Sequence, residues 1–252
     1  MLIRYLSDIH LEFVNPKVLQ HYLKQLTLLN RREVLVLAGD IGSIYQQSKN
    51  YDTFFEHINR EFPKTFVITG NHEYYNETNS IDETDKLLRD YFTQYNNVSF
   101  LNNRCEEYEN YQFIGSTLWS KITDPIKKIN DVSKIPNFNI DDYNRKHILS
   151  RNFIENSIKN KNNCVIITHH IPSYTLCDKK YNTSKYSPYK QWFYSDLDSI
   201  IEDNKEKIKC WIYGHTHTPS YKVVNGVYLL CNPIGYPNKS RIADFTRQIE
   251  LK

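Results

Sequence analysis

Glycine is scarce in this chain, with 7 residues in 252 against 20 tyrosines. Each glycine is therefore expected where the backbone needs a positive φ or a close approach, not as loop filler. The five cysteines (Cys105, Cys164, Cys177, Cys210 and Cys231) are scattered and include no C-x-x-C pair. That excludes a thiolate zinc ribbon and suits a reducing compartment. No run approaches the ~18 apolar residues of a membrane helix. The apolar residues before the first polar turn are too few for the apolar region of a signal peptide. A cytoplasmic protein with no membrane attachment is the expectation. Neither charge sign dominates, and a formal net charge of +3 is too small to indicate nucleic-acid binding by itself.

Short β-rich runs, "LIRYL", "VLVLA", "TFVIT", "YQFIG", "CVIIT" and "CWIY", alternate with longer segments of helical spacing. Continuous apolar runs of this length suit strands covered on both faces, as in α/β sheets. Pro16 opens one helical segment at a favourable first position. Asn225-Gly226 marks a hairpin turn, and a final strand follows. With no repeat or linker, one domain spanning 1–252 is expected. Two stretches without periodicity, near 120–142 and 172–190, are candidate loops covering a substrate.

The apolar runs share one feature: five of them end in Asp, His or Asn. They lead into Asp8-Ile9-His10, Gly39-Asp40, Gly70-Asn71-His72-Glu73, His169-His170 and Gly214-His215-Thr216-His217. Ligands of α/β sheets bind at the carboxyl ends of strands. Asp8 and His10 are two apart, as are His215 and His217. In extended backbone that spacing sends both side chains to one side, so each pair is expected to address one centre. A lone Asp or His at such a place is ordinarily a cap or turn residue. Six of the nine histidines fall in these segments, a concentration that caps and turns do not explain. His21, His57 and His147 lie in helical stretches and are read as structural. Imidazoles, carboxylates and an amide oxygen suit Mn, Fe, Zn, Co or Ni. Two divalent ions would bring four positive charges, of which Asp8 and Asp40 offset two; the remainder favours a phosphate.

The order D-x-H, G-D, G-N-H-E, H, G-H-x-H resembles the calcineurin-like metallophosphoesterases, a superfamily of binuclear-metal phosphohydrolases. "SDIHLEF", "STLWS" and "CNPIGY" resemble an uncharacterised bacterial and viral-type branch of it. The resemblance implies an α/β four-layer sandwich, two mixed sheets with helices outside and the metals on strand-end loops. By motif, Asp8, His10 and His217 would hold one metal and Asn71, His169 and His215 the second, with Asp40 bridging. Manganese is the favoured metal in both places. His169, not His170, matches the family position directly after the strand. His72 matches the family's catalytic histidine, which protonates the leaving oxygen or stabilises the transition state. The implied nucleophile is a bridging hydroxide between metals ~3.5–4 Å apart. All seven ligand positions and His72 are filled, which argues against a degenerate interaction scaffold.

Family members that act on phosphoproteins carry an Asp and an Arg shortly after G-D, and "GDIGSIY" has neither. The carboxylate that orients the histidine and the clamp for a terminal phosphate are therefore missing there. Glu73 is read as a helix-start carboxylate. A phosphodiesterase for small or nucleotide-like phosphodiesters is the leading expectation; a single-strand nuclease and a phosphomonoesterase are the alternatives. Lysines interleaved with aromatics between Cys177 and Tyr194 could hold phosphates and stack bases. Arg145 and Lys146, placed at a predicted helix start against the dipole preference, hint at an anion nearby.

Overall fold

All six apolar runs are strands in the computed structural model, which describes residues 1–251 except 31, 47, 125–128, 178–180, 182 and 239–243. The first sheet has the order β11-β1-β2-β3-β4. β1 (Leu2–Leu6), β2 (Glu33–Ala38), β3 (Lys64–Ile68) and β4 (Val98–Phe100) run parallel, and β11 (Gln248–Glu250) is antiparallel to β1. The second sheet has the order β5-β6-β7-β8-β10-β9. β6 (Tyr111–Ser116), β7 (Cys164–Thr168), β8 (Ile208–Tyr213) and β10 (Val227–Cys231) are parallel. Antiparallel β5 (Arg104–Tyr108) and β9 (Ser220–Val224) close its two edges.

Alternation along the strands serves two cores. In β2, Val34, Val36 and Ala38 face the second sheet, where they meet Val165, Ile167, Cys210 and Ile212. Leu35 and Leu37 face the opposite way, into the layer of α1 (Pro16–Gln25), α2 (Ser48–Glu61) and α3 (Ile81–Phe92). α5 (Ile140–Lys159) and α6 (Asp198–Asp203) cover the outer face of the second sheet through Ile154, Ile158, Ile200 and Ile201. The result is the expected four-layer sandwich of two mixed sheets flanked by helices. Phe66 and Phe113, stacked at 3.9 Å between ring centres, join the sheets.

Two expectations are revised. The stretch near 120–142 holds a short helix, α4 (Asn130–Lys134), and the start of α5. α5 begins at Ile140 behind the Asn139 cap, with Asp141 and Asp142 in its first turn. Arg145 and Lys146 therefore lie within the helix, where they pair with Asp142 and Asp82 and carry no anion site. β4 and β5 are not among the six apolar runs, one having only three residues and the other, at the sheet edge, being polar and largely exposed. Among the described residues no helix is long and apolar enough to cross a membrane. Phe113 is fully buried, so Phe113→Ala is expected to cost about 3–5 kcal/mol, measured by urea unfolding.

Candidate metal centre

The parallel strands of both sheets end at one edge of the sandwich, and the loops that leave them are sewn together by main-chain hydrogen bonds. Asp8 N–H donates to Gly39 O (3.0 Å), His10 N–H to Asp40 O (3.0 Å) and Gly214 N–H to His169 O (3.1 Å). Loops can approach this closely only where side chains are absent. A Cβ on Gly39, at φ +82°, would lie 2.6 Å from both Gly70 N and His169 Nδ1.

Five of the candidate site residues are themselves in left-handed backbone: Asp8 (φ 53°), His10 (54°), Asp40 (52°), His215 (69°) and His217 (50°). Non-glycine residues seldom occupy that region, and its strain is concentrated at functional sites. The extended backbone that the two-residue spacing presumes is therefore absent at these positions. Asp8 and His10 fall in one group of ligand atoms, each from its own left-handed residue. His215 and His217 fall in different groups.

Ligand atoms of Asp8, His10 and His217 lie within 4.8 Å of one another, and so do those of Asp40, His169 and His215. His10 Nε2 is 3.2 Å from His217 Nε2, and His217 Nε2 is 3.3 Å from Asp8 Oδ1. In the second group His169 Nε2 is 3.2 Å from His215 Nδ1, 3.2 Å from Asn71 Oδ1 and 3.3 Å from Asp40 Oδ2. Asp40 Oδ2 also lies 3.9 Å from His10 Nε2, between the two groups. Separations near 3.2 Å are the polyhedron edges made by donors roughly 2.0–2.1 Å from a common cation. The other ring nitrogens are occupied: His169 Nδ1–H donates to Ala38 O (2.9 Å), and His10 Nδ1–H to Glu12 Oε1 (3.2 Å). Anchored in this way, each ring presents Nε2 to the centre, the habit of metal-ligating histidines. The donor set fits divalent cations.

His72 joins His10 and Asp40 in a third group whose ligand atoms lie within 4.8 Å of one another; its main-chain N–H is on Asp40 Oδ1 (2.8 Å) and its Nδ1 on Glu12 Oε1 (3.0 Å). Glu12, from the loop after β1, is thus the carboxylate that contacts the His72 ring. Its signal was the Glu of "SDIHLEF", two residues beyond His10; its second partner lies 60 residues away and could not be read. Glu73 is also revised. Though it sits in a 3₁₀ turn, its buried carboxylate accepts from the N–H groups of Gly70 (2.6 Å), Ile41 (2.7 Å), Asp40 (3.1 Å) and Gly42 (3.4 Å). It clasps the loop after β2 to the loop after β3.

His170 is buried behind the centre, bonded to Tyr143 Oη (2.9 Å) and Thr117 O (3.2 Å) and packed on Trp119. The motif "STLWS" thus supports His170, with Leu118 and Trp119 both left-handed. Tyr236, from "CNPIGY", stacks on His10 at 4.4 Å. His57 and His147 bond main-chain carbonyls, as structural histidines do.

A cavity of about 500 Å³ opens over both groups, walled by Tyr75, Tyr189, Trp192, Phe193 and Tyr236, with Ile129, Asn130 and Asp131 at one side. Both aperiodic stretches contribute to it. Among the described residues that line it there is no Lys or Arg. A second cavity of about 510 Å³ adjoins it beyond His72 and Tyr75 and carries Lys134. The Lys-aromatic stretch from Cys177 to Tyr194 lies partly outside the described residues.

The profile of the calcineurin-like phosphoesterases matches residues 1–219, and the chain belongs to that family. Membership implies metal-dependent hydrolysis of a phosphoester. The uncharacterized protein L509 of Acanthamoeba polyphaga mimivirus is 32% identical over 267 aligned residues, covering 94% of this chain and 92% of that protein. Among solved structures, phosphopantetheinyl hydrolase from Mycobacterium tuberculosis aligns with a TM-score of 0.72 at 14% identity, covering 98% of this chain and 95% of its own. The protein TT1561 of Thermus thermophilus aligns with a TM-score of 0.58 at 10% identity, covering 92% and 88%. At such identities the structural likeness shows the fold alone.

Without a cation, protons take its place. Burial pulls the His169 pKa down, but Asp40 and Asp8 outweigh it and lift it to about 10. Burial likewise opposes His72, which Asp40 and Glu12 lift to about 9. Groups raised above their usual 6.5 stabilise the fold fully below that pH, and the contribution is lost as pH rises through 9 and 10. The Tm of metal-stripped protein is therefore expected to fall between pH 6.5 and 10. A ligand histidine must give up its proton to bind a cation. Titration with Mn²⁺ at pH 7.5 in two buffers of different ionisation enthalpy should show release of about one proton or more. A buffer-independent heat would contradict the exchange.

Proposed function

We propose that this protein is a metal-dependent phosphodiesterase for small or nucleotide-like phosphodiesters. Asp8, His10 and His217 would hold one divalent cation and Asn71, His169 and His215 a second, with Asp40 between them. Manganese is favoured; Fe, Zn, Co and Ni suit the same nitrogen and oxygen donors. Bound there, such ions stabilise negative charge on a phosphate and lower the pKa of water enough to supply a nucleophile at neutral pH.

The observation that carries the diester assignment is the cavity above the centre. A terminal phosphate dianion calls for a cationic clamp, and no Lys or Arg is among the described residues lining that cavity. Its aromatic walls instead suit a flat, uncharged group such as a nucleobase. His72 faces both cavities. Glu12 takes its Nδ1, which leaves Nε2 to deliver a proton to the leaving oxygen. Glu12 thereby does for His72 what an Asp after G-D does in relatives that act on phosphoproteins. Five free cysteines favour a reducing compartment, and residues 1–252 are taken as one catalytic domain.

Metal-stripped protein restored with Mn²⁺ should hydrolyse bis-p-nitrophenyl phosphate faster than p-nitrophenyl phosphate. Preference for the monoester would overturn the diester assignment, and faster cleavage of single-stranded DNA than of mononucleotide diesters would replace it with a nuclease. His72→Asn should lower kcat by about 10²–10⁴-fold on diesters with alcohol leaving groups. It should do much less on p-nitrophenyl esters, whose leaving group needs no proton. Equal losses on both would contradict proton delivery by His72.

A further inference from the structure

The short helix α4 places a carboxylate inside the centre that neither the motifs nor the family match assigns. Asp131 is 2% exposed. Its Oδ1 accepts from Asn71 Nδ2 (2.9 Å) and, through a very short hydrogen bond, from Tyr75 Oη–H. Asn71 Nδ2 donates its second hydrogen to Tyr75 Oη (2.8 Å). The three side chains form a closed ring in which each N–H and O–H has one acceptor.

That ring decides which way the Asn71 amide points. If the amide turned over, its oxygen would face a carboxylate oxygen and a hydroxyl whose hydrogen is already given to that carboxylate. Acceptor would meet acceptor in a buried place, a costly arrangement. Only the observed orientation directs Oδ1 at His169 Nε2 (3.2 Å) and hence at the group that includes Asp40 and His215. The carboxylate has no competing structural duty. Among the described residues no Lys or Arg pairs with it, and its hydrogen bonds go to Asn71 and Tyr75, not to amides of α4. α4 is held over the site by Asn76 N–H on Lys134 O (3.3 Å) and by Lys134 Nζ above the Tyr75 ring (5.2 Å).

We infer that Asp131 is a positioning residue for one metal site: with Tyr75, it locks Asn71 so that the amide oxygen, not the nitrogen, faces the cation. The inference rests on the metal assignment made above. Partners that orient metal ligands are typically worth about 10–100-fold in affinity. The effect falls on one site, because the hydrogen bonds of Asp131 run to Asn71, which belongs to that site, and to Tyr75.

The test is Mn²⁺ binding to the metal-stripped full chain by calorimetry. The unsubstituted protein should take up two ions. Asp131→Ala should weaken one site about 10–100-fold and leave the other within about 2-fold. Asp131→Asn keeps an acceptor oxygen and should restore most of the affinity. Made in an Asn71→Ala background, Asp131→Ala should add nothing, since its effect passes through Asn71. Should Asp131→Ala not fold, Tyr75→Phe, which removes one side of the ring, should weaken the same site. Failure of the unsubstituted protein to bind two ions would overturn the metal assignment and this inference with it. Two-ion binding with both affinities unchanged in Asp131→Ala, with both weakened equally, or with losses that add to those of Asn71→Ala would overturn the inference alone.

Discussion

Everything at the centre depends on how closely the loop after β2 approaches the loop after β3. A Cβ on Gly70 would lie 2.7 Å from Asp40 N and 2.7 Å from His169 Cε1, so any side chain there would push Asp40 off its place between the two groups. Closeness alone does not hold two loops together, since their unpaired N–H groups must also be satisfied. Glu73 meets that need by accepting from four of them. Burial and the neighbouring Asp40 carboxylate push Glu73 up to about 7, against the amides that favour its ionised form. The clasp sits under electrostatic tension in metal-free protein, and positive charge beside Asp40 would relieve it.

The same approach explains the left-handed backbone. A ligand leaving a strand end must turn back over the end of the sheet within one or two residues. Extended backbone would carry Asp8 and His10 away from the sandwich; φ near 50° folds them over it. The strain of such residues is tolerated because the loops are tied to one another and to two sheets with a continuous core between them. The four layers therefore make rigid a site built entirely from loops, and the seven candidate ligands come from both sheets.

How much of this could be read from the chain depended on distance along it. The ligands could be located because each follows an apolar run, and strand ends can be recognised from a few residues. Their grouping could not be read from spacing, because a period-two argument assumes a strand where the chain has turned left-handed. The split of His215 and His217 between two groups is the clearest case. Glu12 was visible as a residue but not as a partner, since His72 arrives from another strand. Asp131 was hidden differently: α4 has five residues, too few for periodicity to register, and an acid in a polar stretch looks solvated until the fold buries it. Tyr75 was lost among twenty tyrosines.

The centre's electrostatics follow from this assembly. Asp8, Glu12, Asp40, Glu73 and Asp131 are all buried within one region, and so dense a set of carboxyl groups needs positive charge nearby. Against the pull of burial, Asp40 raises His72 to about 9 and His169 to about 10, favouring their protonated forms, while burial and the neighbouring His169 push His215 down to about 3. Protonating two adjacent imidazoles would set like charges 3.2 Å apart, so only one member of that pair can carry the proton. Divalent cations would meet the same need, because each would bind neutral nitrogen and ionised oxygen together and bring two charges beside Asp40. Metal affinity and metal-free stability therefore move in opposite directions as pH rises.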